Sequence, residues 1–193
     1  MLLNQISHVT RYDRYPELFE NVLAITGKRE KILSFGCSTE FECRTLSEIY
    51  YPTSKIYGID IDKKVIDDNK KNNNNDKIKY YDDINELQKN GKFDVIFALS
   101  VLCRWPKPHD ESYSYEIFLN TVKLIDGLLK DTGFLCIFNS KYLFTDTYIS
   151  KKYKIIETSY KCSGFIEKYT KNDVLISNYP YILFQKIGRC STK

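Results

Sequence analysis

Short apolar runs alternate along this chain with longer stretches in which apolar residues recur every three or four positions. Residues 16–27 read as an opening helix, with Pro16 in the first turn, Leu18, Phe19, Val22 and Leu23 at helical spacing, and Gly27 as the stop. The run over 31–36 predicts a first strand. A helix over 40–50 follows, with Phe41, Leu46 and Ile49 as its apolar face, and Pro52 ends it. A second strand over 55–60 leads into a helix that Asp62 caps and that runs to the asparagine tract 72–75, an exposed turn. A third strand over 77–81 precedes a short helix over 84–90, where Asp83 and Glu86 have capping-box spacing. A fourth strand, 93–99, gives way to a segment that Pro106 and Pro108 keep from being regular helix. An amphipathic helix over 114–130 and a fifth strand over 134–138 complete the alternation. In the tail, residues 153–158 and 181–186 read as strands with no clear helix between them, and 141–150 carry no readable period.

Strands alternating with helices demand a parallel sheet covered on both faces. The expected fold is therefore α/β: a doubly wound, mostly parallel seven-stranded sheet with an antiparallel C-terminal strand and helices on both faces. At 193 residues the chain reads as one domain. It divides into an N-terminal cap segment and helix (1–29), a core (30–140) and a β-rich C-terminal part (141–193).

The chemistry concentrates where such sheets bind ligands, at the carboxyl ends of the strands. The first strand ends at Gly36, and Cys37 and Ser38 form a short polar turn before the next helix. Gly36 would let a ligand approach the backbone. The second strand ends in Asp60, whose two acceptor oxygens suit a pair of ribose hydroxyls. Asp82 and Asp83 follow the third strand, within reach of an exocyclic amine, although Asp83 also fits a helix cap. Leu99 and Ser100 close the fourth strand beneath the expected cofactor.

Composition narrows this picture without adding to it. A net charge of +4 falls short of a nucleic-acid-binding domain, so such a partner is not expected. Six cysteines lie scattered with no Cys-x-x-Cys pair, which favours reduced thiols over disulfides and gives no metal site. The sequence shows neither a membrane-length apolar run nor a secretory leader, so a cytoplasmic location without membrane contact is expected.

Taken together, these residues resemble a class I S-adenosylmethionine-dependent methyltransferase. Ser34-Phe35-Gly36-Cys37-Ser38-Thr39-Glu40 stands in place of the acid and Gly-x-Gly-x-Gly of the usual first motif. With Glu42 it is similar to the Cys-Ser-Thr-Gly-Glu-Glu turn of chemotaxis-receptor methyltransferases. Ile56 to Asp62 matches the second motif. Asp82-Asp83-Ile84 resembles the third, Phe93 to Phe97 the fourth strand, and Thr132-Gly133-Phe134-Leu135 the entry to strand five. The resemblance implies S-adenosylmethionine as cofactor and S-adenosylhomocysteine as product. Gly36, Cys37 and Ser38 would line the methionine part, Asp60 the ribose and Asp83 with Ile84 the adenine, with Ile61, Leu99 and Ser100 also at the cofactor. It implies methyl transfer to a small molecule or a protein side chain, the small molecule favoured, and no universal catalytic residue.

Substrate-side candidates come from the segment after strand four. Arg104 could hold a carboxylate or phosphate, Trp105 could wall the pocket and His109 could act as a base. Each also has an ordinary reading, as an ion pair, a core or lid anchor and an exposed loop residue. Tyr12, Arg14 and Tyr15 precede the first helix, where a segment could fold over a cofactor or simply pack on the domain edge. A nicotinamide dehydrogenase is disfavoured, because Ser38 and Phe41 stand where Gly-x-Gly-x-x-Gly needs glycines. The alternative reading is a catalytically degenerate methyltransferase-like fold that binds a partner protein.

Overall fold

The computed structural model describes residues 8–107, 110 and 112–188. The strands β1 (Lys31–Phe35), β2 (Lys55–Ile59), β3 (Ile78–Tyr81), β4 (Phe93–Leu99), β5 (Leu129–Phe138), β6 (Tyr153–Ile156) and β9 (Leu183–Lys186) form one seven-stranded sheet. Its order is β3-β2-β1-β4-β5-β9-β6. The first five strands run parallel, and β9 lies antiparallel to both β5 and β6. The strand order reverses between β1 and β4, so their carboxyl ends flank the crevice where this topology places a ligand.

Alternation within the strands explains the two covered faces. On β4, Phe93, Ile96 and Ala98 point to one side, where α4 (Ile84–Gln88) and α5 (Tyr115–Leu128) contribute Leu87, Phe118, Val122 and Ile125. Val95, Phe97 and Leu99 point to the other, where Leu18, Phe19 and Val22 of α1 (Pro16–Thr26) and Ile66 of α3 (Lys63–Asn72) meet them. A strand buried on both faces reads as a continuous apolar run, as β4 does.

The helix caps follow local chemistry. The Asp62 carboxylate accepts from the Lys64 and Val65 amides, and Asp83 accepts from Asn85 at 2.6 Å. The capping box is not formed, because Glu86 turns instead to Lys89 at 2.6 Å. Over 40–50 the single predicted helix is in fact α2 (Phe41–Thr45) followed by a π-helical turn, Leu46–Tyr50. The wider turn rotates the face, so Cys43, Leu46, Ser47 and Tyr50 go inward and Ile49 is left 44% exposed.

Strand β5 starts at Leu129, earlier than expected, because Asp131-Thr132-Gly133 forms an irregularity within the strand rather than a turn before it. The unreadable stretch 141–150 contains two 3-10 turns, Phe144–Asp146 and Tyr148–Lys152. Between β6 and β9 lies a small hairpin, β7 (Lys168–Tyr169) with β8 (Leu175–Ile176). Among the described residues no helix is long and apolar enough to cross a membrane.

Candidate functional site

The turn after β1 and the end of β2 meet directly. The Gly36 and Cys37 amides both donate to the Ile59 carbonyl, at 2.8 and 3.0 Å. The Ser38 amide donates to Asp60 Oδ2 at 2.9 Å, and the Asp62 amide donates to Asp60 Oδ1 at 3.1 Å. Each carboxylate oxygen thus has one backbone donor and a further lone pair to offer. The arrangement fixes the carboxylate's orientation at the mouth of the crevice and leaves it able to grip a diol.

Gly36 has φ +76°, in the region that favours glycine. The space a Cβ would occupy is already taken by Val101, whose Cβ would lie 2.7 Å away. The Cβ side of this glycine is therefore closed by the chain's own valine. Ser38 and Ser100 also have positive φ, +51° and +58°. Strain of this kind at two polar corners facing one crevice is characteristic of ligand sites. Gly36→Ala combines a left-handed backbone with a steric overlap, so it is expected to lower stability by about 3 kcal/mol or more. Adding Val101→Gly should return the steric part, which urea denaturation of both variants would measure.

Behind the turn stands a carboxylate that motif spacing flags but whose environment it does not reveal. Ser34 is fully buried on β1, and its hydroxyl donates to Glu42 Oε1 at 2.7 Å. Glu42 comes from the first turn of α2, so the acid missing from position 34 is supplied from eight residues further on. Burial pushes the Glu42 carboxyl up to about 7, against the opposing pulls of the Ser34 hydroxyl and the Arg14 charge.

The N-terminal segment crosses this end of the sheet. His8 lies 3.2 Å from Ser38 Oγ through Nδ1 and 3.2 Å from Asp62 Oδ2 through Nε2. Tyr12 donates to Glu48, and the Asp13 amide donates to Thr45. The Tyr15 hydroxyl is hydrogen-bonded to Ser100 Oγ at 3.1 Å. Asn139, just beyond β5, donates to Ser100 Oγ at 2.9 Å and to Tyr15 at 3.2 Å, and it accepts from the Phe165 amide. Residues 8–15 therefore form a strap fastened at both sides of the crevice, not merely packing at the domain edge. His8 and Asn139 are additions to the sequence reading. Asn139 was findable, because it follows the carboxyl end of a central strand.

The remaining candidates are dispersed. Asp83 is exposed and occupied as a helix cap, with Ile84 packed against the core beside it. Burial alone would raise the Asp82 carboxyl, but a backbone hydrogen bond and the Lys70 and Lys63 ammoniums hold it below its ordinary range. Ile61 is partly buried, and Leu99 is buried beneath the crevice. Arg104 is held by Asp110 at 3.7 Å and Ser112 at 3.3 Å, so it takes the ion-pair reading. Trp105 is 41% exposed and meets Phe165 edge to face at 5.5 Å. His109 lies outside the described residues.

Comparison with known proteins follows the same lines. A protein named as a "putative rRNA-methylase" from Clostridium thermocellum superposes with a TM-score of 0.56 at 18% identity, covering 93% of this chain and 100% of its own. That likeness establishes a shared fold. The plantazolicin methyltransferase BpumL in complex with SAH gives a TM-score of 0.48 at 19% identity over 63% of this chain and 44% of that one. PKMT2 from Rickettsia typhi in complex with AdoHcy gives 0.48 at 21% over 71% and 26%. The chain thus spans less than half the length of these last two proteins. No curated protein matches the sequence. A family model described as a methyltransferase domain matches residues 8–145, well over half of the 193 residues. The chain belongs to the methyltransferase domain family.

Proposed function

We propose that this protein transfers a methyl group from S-adenosylmethionine to a small molecule, in preference to a protein side chain. The observation that carries the cofactor reading is the junction of Ser38 with Asp60: a constrained turn and a diol-binding carboxylate in one crevice. Glu42 fits the same ligand. A partly buried carboxylate with one hydrogen-bonding partner among the described residues suits the ammonium of a methionine moiety. When bound, S-adenosylmethionine supplies an electrophilic methyl group on a sulfonium centre.

The chain's own residues have three tasks. Asp60 holds the ribose and so fixes the register of the whole cofactor. Glu42 anchors the amino-acid end. The strap over 8–15 and the Tyr15–Ser100–Asn139 cluster keep water from the reacting end. Positioning of donor and acceptor in line can provide much of the rate without a strong base.

Calorimetric titration with S-adenosylhomocysteine tests this. Glu42 is neutral below about 7 and ionised above it. Affinity is therefore expected to tighten by up to about tenfold per pH unit between pH 5.5 and 7, then level off. Glu42→Gln should bind more weakly at pH 8 and lose the pH dependence. Absence of binding by the wild type at every pH would overturn the cofactor reading.

A further inference from the structure

Between residues 163–168 and β8 lies a groove of about 300 Å³, at the small end of ligand pockets. Phe165, Ile166, Ile176 and Tyr179 give it apolar walls, and Lys168 and Glu167 are its charged lining residues. Lys168 is only 6% exposed. Among the described residues no carboxylate pairs with it, and its Nζ has a single long hydrogen bond, 3.5 Å to the Ser140 carbonyl. Glu167, adjacent in sequence, is engaged by the Tyr169 hydroxyl at 2.7 Å.

A buried ammonium without a counter-charge is costly. Burial accordingly pushes the Lys168 amine down to about 8, while the nearby Cys103 and Cys162 thiols pull it back up. An amine held in this way gains most from an incoming anion, which would restore its charge and complete its hydrogen bonds.

The groove's position gives the anion a role. Its inner wall is tied to the carboxyl end of β5, where the Phe165 amide donates to Asn139 Oδ1 at 3.0 Å. Gly164, with φ +82°, is pressed so closely on the Asn139 side chain that a Cβ would overlap it. The Tyr169 amide donates to the Lys141 carbonyl at 2.8 Å, which fixes the hairpin to the same end of the sheet. Asn139 is also the residue that binds Ser100 and Tyr15 in the crevice.

We propose that this groove is a binding site for a small monocarboxylate with an apolar body, its carboxylate paired with Lys168. The assignment of that ligand as the methyl acceptor rests on the methyltransferase reading above. One cation matches a single negative charge. The apolar walls match an aliphatic or aromatic body.

Benzoate is a suitable probe, followed by NMR on the full chain with the backbone amides and the lysine side chains labelled. The expected result is shifts confined to residues 163–168 and 175–179, with the Lys168 titration midpoint raised by about one unit. Lys168→Met should weaken benzoate at least about tenfold, whereas Lys168→Arg, which keeps the charge, should retain part of the affinity. Unchanged benzoate affinity in Lys168→Met, or no shift in the groove at about 50 mM benzoate, would overturn the site. Inorganic phosphate reproducing the benzoate shifts would overturn the choice of a monoanion with an apolar body. S-adenosylhomocysteine titrations on the same samples read the cofactor site separately, so failure there leaves the groove result standing and removes only its assignment to the acceptor.

Discussion

Asp60→Ala is expected to weaken S-adenosylhomocysteine binding by about 100-fold, the equivalent of about 3 kcal/mol. Two charge-assisted hydrogen bonds to ribose hydroxyls are lost, and the carboxylate that orders the turn goes with them. The second effect is built into the fold, since Asp60 receives the amides of both Ser38 and Asp62. Asp60→Asn separates the two contributions. It keeps an acceptor for one of the two backbone amides and turns a donor toward the other, so it should retain part of the turn's order and still bind poorly. Calorimetry at pH 8 with both variants, alongside urea denaturation, gives the measurement. Wild-type affinity in Asp60→Ala would remove the carboxylate from the cofactor reading.

The largest stability effect is expected far from the crevice. Asp126, 8% exposed on α5, gathers Lys152 Nζ at 2.7 Å, Lys186 Nζ at 2.9 Å and the Tyr153 hydroxyl at 2.8 Å. Lys186 is itself nearly buried and also donates to the Asp126 carbonyl. Burial alone would raise the Asp126 carboxyl, but the hydrogen bonds from Lys152, Lys186 and Tyr153 outweigh it and hold it below its ordinary range. Asp126→Ala leaves a buried ammonium without its counter-charge and a phenol without its acceptor, which costs about 3–5 kcal/mol. A lowered folded-state value means that this stability is present above the ordinary carboxyl range and is lost as pH falls through the depressed one. Urea denaturation should therefore show a wide gap between wild type and variant at pH 7 that narrows in strong acid. Lys152→Met, which removes a half-exposed partner, should cost about 1 kcal/mol or less. A loss under about 1 kcal/mol for Asp126→Ala would show that the cluster contributes little.

Much of this architecture is legible before any coordinates. The inner parallel strands β1, β2 and β4 announce themselves because a strand buried on both sides reads as a nearly continuous apolar run, and Asp60 stands out as an acid at the end of one. Other features depend on geometry that no local pattern encodes. The π turn at Leu46–Tyr50 moves Ile49 outward without any glycine or proline to mark it. The hairpin of β7 and β8 has two residues per strand, too few for a period to be read. Glu42 matches a motif by spacing, but its meeting with Ser34 depends on how α2 folds back over β1. Lys168 looks like any surface lysine in sequence, and its burial follows from the fastening of residues 164–169 to the end of β5. Gly36 is the instructive case: its place at the end of an apolar run is plain in sequence, but that Val101 closes its Cβ side depends on how the segment after β4 packs.

The placement of β9 carries a consequence for biosynthesis. It is the ninth strand in chain order, yet it lies between β5 and β6. Until it emerges from the ribosome, β5 offers an open edge, and β6 has no neighbour in the sheet to join. Two unpaired edges on a nascent chain are templates for association with other chains. Lys186, the buried counter-charge for Asp126, arrives on the same strand. Insertion of these few residues therefore closes two seams and brings Asp126 its buried counter-charge at once, which makes β9 the clasp of the sheet and its arrival the step that ends the exposure of both edges.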